Sequence, residues 1–140
     1  MKKNTNDLQN ELISSQDLGR FLSDKQDEFI THAFADLLQE LFQKKDISKA
    51  ALAKNAGMSD VYLYQIFTGG RKPSRNRIIC LCFGLSASLE ETQTLLKESG
   101  NAQLYVRDRR DAIIIYGLTH NMTLSEINDK LFSEHEATLY

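Results

Sequence analysis

The chain has 140 residues, 41% hydrophobic and 26% charged, enough for one ordinary globular domain with a small appendage and a real core. A single Pro, seven Gly and no alternating β-branched runs, with Leu, Ala, Lys, Glu and Gln recurring at helical spacing, exclude a strand-rich fold and predict an all-α one. The net charge of −2 argues against a polyanionic partner only until its distribution is read: residues 44–77 hold eight Lys and Arg against Asp46 and Asp60, a local +6, while 1–43 and 78–140 carry −4 each. A basic island between acidic arms suits a protein that meets a polyanion through one face, because local cation density sets phosphate affinity. A solvated charged face is the bland reading of the same run.

In chain order, Met1-Lys-Lys is followed by polar Asn4 to Asp7 rather than an apolar leader, and no later run approaches a membrane span. A cytoplasmic protein without a membrane partner is expected. Residues 1–14, polar with sparse Leu8, Leu12 and Ile13, read as a loosely ordered arm, and Leu18, Phe21 and Leu22 as a short helix that completes an N-terminal segment 1–26. Phe29, Ile30, Ala33, Phe34, Leu37, Leu38, Leu41 and Phe42 repeat with a 3.6-residue period, which predicts a long helix from about Asp27 to Lys44.

Ser48 is a good N-cap for a helix Lys49 to Asn55, with Leu52 and Ala53 inward and Lys49 and Lys54 outward. Gly57 can take the left-handed conformation that closes this helix and turns the chain, with Met58 packed beneath. Ser59 caps a second helix, Asp60 to Thr68. Its Leu63 and Ile66 are buried, Tyr62 is half-buried against the long helix, and Asp60, Val61, Tyr64 and Gln65 lie on or near the outer face. Gly69 and Gly70 stop it, and Ser74, just past Pro73, caps a helix from Arg75 to Phe83 that ends at Gly84.

Ser88-Leu-Glu-Glu91 and Thr123-Leu-Ser-Glu126 both match the capping box S/T-x-x-E. A shift of 35 pairs Leu89 with Leu124, Glu91 with Glu126, Leu96 with Leu131, Ala102 with Ala137, Leu104 with Leu139 and Tyr105 with Tyr140, while Phe83-Gly-Leu85 matches Tyr116-Gly-Leu118 at 33. Residues 75–105 and 108–140 therefore read as two copies of a helix, loop, helix, Leu-Tyr unit, the second packed on the first.

Catalytic and metal chemistry find no foothold. Cys80 and Cys82 sit inside an apolar helical pattern and read as core residues, and His32, His120 and His135 are isolated from any ligand or nucleophile set. No enzyme, metal, cofactor or ligand pocket is expected. The mixed run Arg107-Asp-Arg-Arg-Asp111 reads as salt-bridged solvation near a helix start, with a reach to flanking phosphates as the alternative. Ala112-Ile-Ile-Ile-Tyr116 is either a fully buried helical segment or a self-association surface.

From Ser48 to Ser74 the chain resembles the lambda-repressor-like helix-turn-helix family, the Cro/CI or xenobiotic-response-element class. Ser48-Lys49 stand at its Thr/Ser-Gln position, Leu52-Ala53 at its Leu-Ala and Gly57-Met58-Ser59 at its Gly-Val-Ser turn. Leu63 and Ile66 fall on the buried positions of its second helix, and Gly69, Arg71 and Pro73 on its closing Gly-x-Arg-x-Pro. The resemblance implies a five-helix domain over roughly 27–100, here a DNA-binding domain 27–105 with a C-terminal helical extension 106–140 that repeats the preceding helix pair. It further implies that Asp60, Val61, Tyr64 and Gln65 face base edges in the major groove of double-stranded DNA, while Lys49, Ser59, Arg71, Lys72 and Arg75 meet phosphates.

Gln65, which can donate and accept, would suit adenine N6/N7, and Val61 a thymine methyl; Asp60 would accept from a cytosine amine or simply stabilise its helix start. Phe67 stands where the family often has Glu, so this edge should pack on something apolar, the acidic C-terminal unit being one candidate. The expected function is a sequence-specific transcriptional regulator acting as a homodimer, since one helix contacts too few base pairs. Two readings compete with it. In one the motif is kept for packing alone; in the other the chain is an adaptor or antitoxin-like module that docks a protein partner through its C-terminal helices, with DNA binding secondary.

Overall fold

The computed structural model describes residues 4–25 and 33–140, and among them every regular element is an α-helix. They fall into two compact units, one within 1–31 and one within 32–140. The first holds α1 (Thr5–Ser14) and α2 (Leu18–Asp24). Residues 5–14, expected as a loose arm, are helical because the chain supplies its own caps: Asn4 Oδ1 accepts from the Asp7 amide at 2.9 Å, and Ser14 Oγ donates to the Glu11 carbonyl at 3.2 Å. Asp17 caps α2 in the same way, and a 2.8 Å ion pair between Lys25 and Glu11 joins the end of α2 to α1.

The second unit runs α3 (Ala33–Lys44), α4 (Lys49–Asn55), α5 (Asp60–Phe67), α6 (Arg75–Gly84), α7 (Leu89–Glu98), α8 (Arg109–Thr119) and α9 (Leu124–Ser133). The predicted start of the long helix, with Phe29, Ile30 and neighbouring His32, lies outside the described residues. Ser48, Ser59, Ser74, Ser88, Asp108 and Thr123 each cap the helix that follows, so at these six helix starts one of the freed backbone donors finds a side-chain oxygen.

Helix α6 is the axis of the unit. Every residue from Ile78 to Gly84 is buried, as expected of a helix apolar all round, with α4, α7 and α9 packed about it. Gly84 brings α4 close: a Cβ there would stand 3.0 Å from both Ala56 Cβ and Leu52 Cδ1, and 3.1 Å from the Ala56 backbone nitrogen.

The pair α8–α9 reproduces the geometry of α6–α7 at a shift of 35. Both capping boxes form in full, Ser86 and Asn121 share a positive φ (53° and 55°), and so do Gly100 and His135 (78° and 62°). Arg75 Nε donates to the Ala102 carbonyl at 2.8 Å, as Arg110 Nε does to Ala137 at 2.8 Å. Gln93 clamps Leu104 at both ends, accepting from its amide at 2.7 Å and donating to its carbonyl at 2.8 Å. Asn128 accepts from the Leu139 amide at 2.7 Å, but its buried Nδ2 has no partner. The shorter side chain makes only the accepting half of the clamp.

Two stability measurements follow from this packing. Gly84→Ala should lower the urea unfolding free energy by about 1–3 kcal/mol, because the new methyl meets backbone as well as side chains. Asn128→Gln should raise it by about 1 kcal/mol, since the longer amide can donate to the Leu139 carbonyl as Gln93 does to Leu104.

Candidate nucleic-acid interface

Helices α4 and α5 are set against each other by the turn between them. Gly57 has φ 67°, and the Met58 amide donates to the Ala53 carbonyl at 3.0 Å, a bond that a left-handed residue allows the chain to make while reversing. Leu52, Ala53, Leu63 and Ile66 are buried, fixing the inner faces of both helices. The outer edge of α5 is left bare: Val61 is 67% and Tyr64 66% exposed, and Asp60 is exposed in the first turn.

The C-terminal residues lie on the turn rather than on that edge. A Cβ on Gly57 would stand 3.2 Å from the Tyr140 ring and 3.3 Å from Leu124 Cδ2. Arg77 supports the turn from α6, donating to the Gly57 carbonyl at 3.3 Å.

The expected phosphate ligands divide by what holds them. Lys72 is exposed and, among the described residues, has no partner. Ser59 Oγ accepts from the Tyr62 amide at 3.0 Å, leaving its own proton free to donate outward. Lys49 lies 4.9 Å from the centre of the Phe67 ring and 5.9 Å from that of Phe42, and the two rings meet edge to face at 5.3 Å. Phe67 therefore packs on α3, not on the C-terminal unit suggested by its sequence. Arg71 donates from Nε to Gln65 Oε1 at 3.1 Å, and its guanidinium lies 5.0 Å from the centre of the half-buried Tyr62 ring.

Arg75 is drawn into the fold. Its guanidinium bonds Asp111 at 3.0 and 3.3 Å and donates to the carbonyls of Ala102 and Gln103, while Asp111, 6% exposed, also accepts from the Tyr105 amide. The run 107–111 serves the same purpose: Arg109 pairs with Glu134 and Glu136, and Arg110 reaches Asn76 and the carbonyls of Ala137 and Thr138. The sequence offered no sign of the Arg75–Asp111 pair or the aromatic seat of Lys49, because each joins residues from different helices.

Burial pushes the thiol of Cys80 up to about 11 and that of Cys82 up to about 12, so both stay protonated and inert at neutral pH. Among the described residues no His, Cys, Asp or Glu cluster could hold a metal ion, and no helix is long and apolar enough to cross a membrane. In Ala112-Ile-Ile-Ile-Tyr116, Ile114 is buried, Ile113 and Ile115 are half-buried, and Tyr116 is 55% exposed and stacked on His120. Where no pocket was expected, an open cleft of about 350 Å³ runs between the turn and the α8–α9 loop, with Lys54, Asn55, Leu118, Asn121 and Met122 in its walls.

Residues 38–81 match the family model described as helix-turn-helix, a segment running from α3 into α6. No curated protein and no solved structure matches the chain.

Because Asp111 is buried and Arg75 keeps only 25% of its side chain exposed, Arg75→Ala should cost about 2–3 kcal/mol of stability by leaving a carboxylate without its cation. Thermal or urea unfolding checks this, and Asp111→Asn, which keeps the side-chain volume, should cost less.

Proposed function

We propose that this chain, with residues 38–81 forming a helix-turn-helix, is a sequence-specific double-stranded DNA-binding transcriptional regulator that lays α5 in the major groove. The observation that carries the reading is the bare edge of α5, with Val61 and Tyr64 each about two-thirds exposed, flanked by Lys49, Arg71 and Lys72. The major groove admits one α-helix, and an eight-residue helix approached by its N-terminal end meets base edges with the side chains of Asp60, Val61, Tyr64 and Gln65. Asp60, one residue into the helix with no partner among the described residues, complements the positive end of its dipole and is available to a cytosine amine.

Lys49, Ser59, Arg71 and Lys72 supply sequence-independent phosphate contacts that orient the helix. Arg75 is left out of this set, since four of its five N–H donors are taken by Asp111 and two carbonyls. A symmetric dimer follows from arithmetic: one short helix reads too few base pairs for gene-level specificity, and two half-sites about one helical turn apart supply the rest. The exposed ring of Tyr116 and the 76% exposed Phe132 favour a second reading, an adaptor or antitoxin-like module with a protein partner on its C-terminal helices.

Salt separates the two. Binding to duplex DNA followed by fluorescence anisotropy should weaken steeply as salt rises, and Lys72→Ala should reduce the logarithmic slope by about 0.9, one phosphate's worth, on every sequence tested. Undetectable or salt-insensitive binding would overturn the DNA-binding reading, and together with tight capture of one protein partner it would favour the adaptor.

A further inference from the structure

The side chain that should read bases is not free. Beyond α5 the chain folds back, with the Arg71 amide donating to the Gln65 main-chain carbonyl at 3.1 Å, and this return brings the Arg71 side chain onto Gln65, Nε to Oε1, also at 3.1 Å. The contact orients the Gln65 amide, because only its oxygen can face an N–H donor. A second guanidinium stands close by: Arg77 lies 5.6 Å from the Tyr62 ring and Arg71 5.0 Å from it, so one aromatic ring helps seat both cations.

We infer that Gln65 and Arg71 act as one composite reader that selects guanine, with Arg71 a specificity-determining residue and not solely a phosphate contact. The inference rests on the proposed placement of α5 in the major groove. The pair offers the two N–H donors of the Gln65 amide and the Nη donors of Arg71, and its acceptor already faces a cation. Guanine presents two acceptors, N7 and O6, to the major groove; adenine presents one acceptor, N7, and the N6 amine as a donor. An adenine amine would bring its hydrogens to an oxygen already bonded to a guanidinium, where like-signed groups converge, whereas guanine O6 and N7 are attracted by every outward group of the pair. A free glutamine would take adenine, so the bond to Arg71 reverses the preference that Gln65 alone would have.

The test is selection from random duplex DNA by the full chain, by Gln65→Ala and by Arg71→Ala. The position read by the pair is the one whose preference Gln65→Ala changes. The wild-type chain should select guanine there, and 7-deazaguanine, which keeps O6 but lacks the N7 acceptor, should weaken binding roughly tenfold, the loss of one bond of a bidentate contact. Arg71→Ala should shift the preference at that position toward adenine, a change that loss of a phosphate contact or of stability would not produce.

Selection of adenine by the wild-type chain, or of guanine still by Arg71→Ala, would overturn the composite reader and leave the regulator reading standing. Enrichment of no sequence by the wild-type chain would overturn both.

Discussion

The burial of α6 on every side from Ile78 to Gly84 is the constraint on which the rest of the second unit, within residues 32–140, depends. A helix whose residues from Ile78 to Gly84 are all buried needs partners around its whole circumference, and α4, α7 and α9 supply them. Gly84 decides how near α4 can come, since a methyl in that place would already touch Leu52 and Ala56. Leu52 of this contact belongs to the helix that precedes the turn and Ala56 caps its end, so the packing of α6 fixes the platform from which α5 projects. The exposed edge of α5 is held by its buried side and asks for no rigidity of its own.

The second helix pair extends that platform. Its polar fastenings repeat those of the first pair, with an arginine at the carbonyl of Ala102 or Ala137 and an amide side chain at the main chain of Leu104 or Leu139. The copies differ where their surroundings differ. Leu81 is buried, whereas Tyr116, its counterpart at the shift of 35, keeps more than half its surface in solvent and stacks on His120. Tyr140 ends the second copy against Gly57, so the extension supports the turn from behind while leaving the outer edge of α5 clear. The acidic charge of residues 78–140 is likewise spent partly on internal pairs: Asp111 with Arg75, and Glu134 and Glu136 with Arg109.

Much of this was legible in the sequence, and the parts that were not share a physical reason. Caps, glycine stops and apolar period are local signals, so the bounds of α4 through α7 and α9 followed from Ser48, Gly57, Ser59, Ser74, Gly84, Ser88 and Thr123. The shift of 35 was visible because matched Leu, Glu and Tyr residues recur at the same places in each copy. Residues 5–14 misled because sparse apolar residues argue against a buried face, while Asn4, a single capping residue, carries the opposite signal. What could not be read were the side-chain partners: Arg75 with Asp111, Phe67 with Phe42, and Arg71 with the oxygen of Gln65. Each depends on side chains meeting after the chain has folded, and no spacing in the sequence encodes it.

The proposed DNA-binding surface is the outer edge of α5. Backbone amide chemical shifts of the isotopically labelled full chain, followed as a selected duplex is added, test it directly. The largest changes are expected from Ser59 to Gln65 and at Arg71 and Lys72, with the amides of α8 and α9 nearly unmoved. Changes concentrated in α8 and α9, with α5 silent while the duplex is bound, would contradict it.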